Sequence, residues 1–278
     1  MTLTEQDNIS IAQIVVFVPS LVIATALAIR HGFTRGSAFF YLIAFSLARI
    51  IGASFQLATV SDPTNINLHV GAAILQNLGL SPLILVLLSF IGHTLGSIRE
   101  SATAFVTERR LRLVHILVAV GLVLAAIGGS NSSSSLREGG TYTVSGLTQA
   151  GIGLLIAAYI LLVLTTIIVA TQVSYVRPGE KRLLLAVGLS LPFILVRLAY
   201  SAESAYGHNS SFNQISGNPN IQLGMAVIME MIVVAICEGV GITLRKLPKT
   251  QNASSSAAAG YQQPGRHTEE DHELGGYK

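Results

Sequence analysis

Seven long apolar runs, separated by short polar segments, organise this chain. They extend roughly from Ile9 to Ile29, Ser37 to Thr59, His69 to Ile91, Leu113 to Gly128, Leu147 to Thr171, Leu183 to Ala202 and Ile221 to Leu244. A helix that crosses a bilayer needs about 20 mostly apolar residues. The runs are too long for strands and carry no turn signals inside, so the pattern predicts an all-α fold, a seven-transmembrane helix bundle. The fourth run is the shortest. Pro19, Pro82 and Pro192 fall inside the first, third and sixth runs. Proline is tolerated in membrane helices where neighbours satisfy the freed carbonyl. Each therefore reads as a packing kink, with a hinge or a cavity-lining break as the alternative.

Composition supports the same class. Of 278 residues, 51% are hydrophobic and only 11% charged, against about a quarter charged in a soluble domain. The formal charge of +3 acts through its placement and does not point to nucleic acid. Arg30 and Arg35 follow the first run. Arg99, Arg109, Arg110 and Arg112 follow the third, and Arg177, Lys181 and Arg182 the fifth. Arg245, Lys246 and Lys249 follow the seventh. The N-terminus and the segments after runs two and six hold no Lys or Arg, and the segment after run four holds only Arg137. Cationic flanks stay on the cytoplasmic side during insertion. The expected arrangement is an extracellular N-terminus (residues 1–8), a membrane domain (9–245) and a cytoplasmic tail (246–278). That places the chain in the plasma membrane or another membrane of the secretory pathway.

The Ser- and Gly-rich segment 128–146 reads as a flexible outer connection. The polar, low-complexity tail reads as disordered, with a small acidic patch at Glu269, Glu270, Asp271 and Glu273. The opening MTLTEQDN has no basic region and the first run is long enough to span, so it reads as a helix and not a cleaved leader. Glycosylation acceptor patterns begin at Asn8, Asn131 and Asn209, all on the expected outer side, with Asn131 and Asn209 the better candidates. The lone Cys237 allows no intramolecular disulfide.

The chemistry that stands out is charge inside the runs. Arg49, Arg197 and Glu230 each enter the membrane at a cost of roughly 2.5–3.5 kcal/mol. Counted at about 1.5 Å per residue from the inner boundary, Arg49 lies about 18 Å up and the other two about 21 Å up, in a core about 30 Å thick. Gln76 and Asn77 reach a similar level. Tyr200 and Glu203 follow Arg197 at spacings of three, on adjoining parts of one helical face. Glu230 is the expected counter-ion of Arg197, Arg49 or both, which leaves an excess positive charge. Its partner could be an amide, a water-filled cavity or an anionic ligand. Equally, the layer could serve helix packing and register alone. Glu238, near the inner end of the last run, is expected to meet Arg245 or interfacial water.

Several chemistries lack their residues. No run holds the lysine a retinal protein needs. The histidines are scattered between the two boundaries, which disfavours zinc and paired-histidine haem sites. No phosphate-binding loop and no Gly-x-Ser-x-Gly motif occurs. The expectation is a protein without enzymatic activity or cofactor.

Three stretches carry a resemblance. They are Leu191-Pro-Phe-Ile-Leu-Val-Arg197-Leu-Ala-Tyr200-Ser201 followed by Gly217-Asn218 and Met229-Glu230, Ser46-Leu-Ala-Arg49-Ile-Ile-Gly-Ala53, and Gly71-Ala-Ala-Ile-Leu-Gln76. Together they resemble a family of fungal seven-helix integral membrane proteins known as a domain of unknown function, over about residues 9 to 245. A more distant similarity is to fungal lipid-translocating exporters. Arg197, Tyr200, Glu203 and Glu230 fit that family's pattern, while Ser201 stands where it has a second Arg. What these resemblances imply is a multi-pass protein in contact with the bilayer. The polar layer leaves three readings open: a transporter or lipid-handling protein holding a lipid or small amphipathic ligand, a receptor-like sensor, or a structural membrane protein. The oligomeric state is left open.

Overall fold

The computed structural model describes residues 4–31, 37–62, 65–101, 108–137, 144–176, 179–207, 210–212 and 217–244. All of them belong to one unit, Met1–Lys246. The tail, Asn209, Arg35, Arg177, Arg245 and Lys246 lie outside the described residues, as do the side chains of Asn77, Arg99 and Arg137.

The helices are α1 (Glu5–His31), α2 (Ser37–Ala58), α3 (Ile66–Leu78), α4 (Leu80–Ser101), α5 (Glu108–Arg137), α6 (Gly146–Thr171), α7 (Lys181–Tyr206), α8 (Pro219–Gln222) and α9 (Ile228–Thr243). Among the described residues, seven segments are long and apolar enough to cross a membrane. The chain is thus a multi-pass, seven-helix membrane bundle. Spans alternate between an amino-terminal face, where α1 begins, and an arginine-rich face, where α5 and α7 begin.

Local chemistry explains most of the boundaries. Thr4 and Asp7 cap α1 reciprocally, Thr4 N donating to Asp7 Oδ2 at 2.8 Å and Asp7 N to Thr4 Oγ1 at 3.3 Å. This capping box starts the helix at Glu5, four residues before the apolar run begins and inside the segment read as an extracellular terminus. Asn65, Ser145 and Asn218 cap α3, α6 and α8 through their side chains. Pro219 occupies the first helical position of α8, where its missing N–H costs nothing.

The Ser-rich stretch after Gly128 does not begin a loop. It continues α5 to Arg137. Ser132 Oγ donates to Gly128 O at 3.0 Å and accepts from Ser145 N at 2.9 Å, which ties this end of α5 to the start of α6. Tertiary packing holds a helix there that propensity alone would not.

The third span runs through the middle of the bundle. It packs against α2, α5, α7 and α9, and 71% of its apolar window is buried, against 33% for α1 and α5. Leu83, Ile84, Leu87, Leu88 and Ile91 are fully buried there. The outer helices turn large apolar side chains outward: Val15, Val22 and Ile29 are exposed on α1, opposite Phe17, Ser20 and Ala24. That arrangement is stable only when lipid covers the outward face.

Two of the seven spans are irregular. The third breaks into α3 and α4 at Gly79. Pro82 lies three residues later, and its ring clashes with the carbonyl of residue i−4, here Leu78, the last residue of α3. In the seventh, a π-turn over Leu223–Val227 joins α8 to α9, with Ile228 N–H donating to Leu223 O.

Candidate functional site

Both irregularities border the buried charges. Glu230 sits in the first turn of α9, two residues past the cap of the π-turn. Arg49 comes from the middle of α2, and Arg197 from α7, five residues beyond Pro192. All three are at most 2% exposed.

One carboxylate oxygen joins them. Glu230 Oε1 accepts from Arg49 Nη2 and also from Arg197 Nε, the latter at 2.7 Å. Arg197 Nη1 donates to Ser201 Oγ at 2.6 Å, and Arg197 Nη2 to Gln76 O at 3.1 Å. Arg49 Nη1 donates to Gln76 Oε1 at 2.9 Å. The Gln76 carbonyl is one of the last four of α3, which have no partner within their own helix. The helix break therefore presents an acceptor and the negative end of a helix dipole to the two guanidiniums. An unbroken third span would keep that carbonyl for itself.

Aromatic rings complete the cation shells. The Arg49 guanidinium lies 5.5 Å from the Phe45 ring centroid and that of Arg197 lies 5.6 Å from Tyr200. Tyr200 is itself buried and packs against Phe212 at 6.1 Å. Gly79 makes room for the layer, since a methyl group on its Cα would collide with the Arg49 guanidinium.

The structure thus brings Arg49, Gln76, Arg197, Tyr200 and Glu230 together. Asn77 belongs to α3, but its side chain lies outside the described residues. Asn131 is exposed near the end of α5 and Asn8 lies within α1. Neither pattern falls in a loop.

Two guanidiniums and one carboxylate leave one formal positive charge in excess. Polar atoms at this level also lack partners. Arg49 Nε and Glu230 Oε2 are buried without a hydrogen bond, and so are both amide atoms of Gln13. Gln13 is 1% exposed, and its level follows from the α1–α2 pairing. Phe17 and Phe45 pack edge to face, with ring centroids 5.4 Å apart. Adjacent spans run antiparallel. One turn from Phe17 to Gln13 and one turn from Phe45 to Arg49 therefore reach the same depth on facing surfaces.

Above this level, towards the amino-terminal face, Gln6, Ser10, Gln56, His69, Gln76 and Gln222 line a cavity of ≈ 30 Å³. That is room for about one or two waters. Gln76 closes its deep end and is the same residue that binds both arginines. Below the layer, the fully buried Phe17 and Phe45 form a septum. Beyond it, Ser20 Oγ donates to Glu238 Oε1 at 2.6 Å and lies 3.3 Å from Ser46 Oγ. Glu238, 7% exposed, thus accepts from a hydroxyl of α1; Arg245, the partner the sequence pointed to, lies outside the described residues.

Sequence reasoning missed Gln13, Ser20, Ser46 and Gly79. For α1 a signal existed. Gln6, Ser10, Gln13 and Ser20 recur at spacings of four, three and seven, a polar stripe along an otherwise apolar helix. Ser201, the departure from the exporter pattern, is here a partner of Arg197. An arginine in its place would add a third cation to the layer.

A family model described as Domain of unknown function (DUF7702) matches residues 3–247 of the chain. No curated protein and no solved structure matches it.

Proposed function

The chain belongs to the family of that domain of unknown function, and from its site we propose a transporter or lipid-handling membrane protein whose charged layer receives the anionic group of a small amphipathic molecule. One observation carries the reading. A net positive layer, with Gln13, Arg49 Nε and Glu230 Oε2 unpartnered, lies directly beneath a polar cavity that ends on Gln76. Leaving buried polar atoms unpaired costs about 1–3 kcal/mol each; a bound anion would accept from Arg49 Nε and Gln13 Nε2 and neutralise the excess charge, while water or a ligand hydroxyl would donate to Glu230 Oε2 and Gln13 Oε1. In this reading the protein is not an enzyme, its N-terminus faces outside, and the ligand enters from that side.

A purely structural role is the competing reading. It is favoured by the way Glu230 Oε1 ties α2, α7 and α9 together at a single atom.

Thermal unfolding of the purified chain in neutral detergent separates the two. Dihexanoyl phosphatidate should raise the Tm and uncharged dihexanoyl glycerol should not. Gln13→Leu should diminish the rise without lowering the Tm of the free protein. Equal effects of both lipids, or none from either, would leave the layer as a packing device.

A further inference from the structure

A second feature lies on the lipid-facing side, away from the charged layer. Near the amino-terminal face, α5 and α6 touch through their backbones. A Cβ on Gly151 would stand 2.7 Å from Gly121 O and from Ala125 N, and one on Gly128 would collide with Thr148. Small residues let membrane helices approach this closely. Towards the arginine-rich face the facing residues become large, and the helices enclose a groove of ≈ 690 Å³. Its walls include Leu113, Leu117 and Val120 of α5 and Leu154, Leu161 and Ile168 of α6, and Arg110 stands at its mouth.

The dimensions fit one kind of occupant. Pockets that hold small ligands measure about 300–1,000 Å³. From Arg110 to Val120 the groove follows α5 for about 15 Å, which is half of a hydrocarbon core about 30 Å thick, or one leaflet. Its charged end is cationic. Arg109, Arg110 and Arg112 are all exposed near the start of α5.

We propose that this groove binds one acyl chain of an anionic phospholipid, whose phosphate is held by Arg110 with Arg109 and Arg112. The glycine contacts create the apolar half of the site by fixing where the helices part. The arginines select the headgroup. This site shares no residue with the charged layer, so either can fail without the other.

The test is native mass spectrometry of the full chain after exposure to vesicles of equal phosphatidylglycerol and phosphatidylcholine. The chain should keep one phosphatidylglycerol in preference to phosphatidylcholine. Arg110→Gln should reduce that preference about fivefold, the effect of losing one basic side chain at a membrane surface. Leu161→Trp, which fills the groove from an exposed position, should release the retained lipid, while Gln13→Leu should keep it. Equal retention of both lipids, or full retention by Leu161→Trp, would overturn the proposal. So would a dimer that Leu161→Trp dissociates, because a second copy would then occupy the groove.

Discussion

The guanidinium of Arg49 lies against the bare Cα of Gly79, with no room between them for a methyl group. Gly79→Ala should therefore push Arg49 away from Glu230 and Gln76 and lower stability by about 1–3 kcal/mol, the usual cost of overpacking. Gly188→Ala, in α7, is the control. Beyond its own stretch of helix, no heavy atom lies within 4 Å of its added Cβ, and alanine is the better helix former. Thermal unfolding in detergent should show a lower Tm for the first variant and an unchanged or higher Tm for the second. An equal response would mean that the break in the third span tolerates a side chain.

Glu230 serves two cations through one oxygen, so the three residues of the layer are unequal. Glu230→Gln leaves two buried arginines without a counter-ion and should cost about 3–5 kcal/mol. Arg49→Met leaves Arg197 and Glu230 as a neutral pair and should cost less. Their double-mutant cycle should show coupling above about 0.5 kcal/mol. Additive effects in the unfolding free energies would argue against a shared network.

Phe17 and Phe45 separate the charged layer from Ser20, Ser46 and Glu238. Phe17→Ala should cost about 3–5 kcal/mol by opening a cavity and should join the two polar regions. In proteoliposomes, an imposed pH gradient should then decay faster than with the parent protein. Phe40→Ala, at a position 55% exposed on α2, should leave the decay unchanged. If Phe17→Ala leaves the gradient as stable as the parent, the polar line through the bundle is not continuous.

The positive flanks lead us to expect the N-terminus outside and the C-terminus in the cytoplasm. An epitope tag after Lys278 should be reached by antibody only once cells are permeabilised, and a tag before Met1 should be reached on intact cells. The reverse pattern would place the polar cavity on the cytoplasmic side and defeat entry of the proposed ligand from outside.

Much of this molecule is legible in its residue order because a bilayer is a severe solvent. It admits only segments that satisfy their own backbone, so length and hydropathy by themselves determine seven helices. The cost of burying Arg49, Arg197 and Glu230 likewise makes them conspicuous without coordinates, and simple rise per residue places them at one depth. Tertiary structure alone decided how they meet. That one oxygen serves both arginines depends on where α2, α7 and α9 lean. That Gln76 offers both its carbonyl and its side chain depends on the break at Gly79, which a hydropathy profile passes over because Leu78, Gly79 and Leu80 are all apolar. Gln13 gains its place beside the layer only once Phe17 and Phe45 set the register of α1 against α2. The pairing of Ser20 with Glu238 spans 218 residues of chain. Hydropathy is a property of each segment taken alone. A hydrogen bond between segments depends on their relative rotation and depth, and only packing sets those.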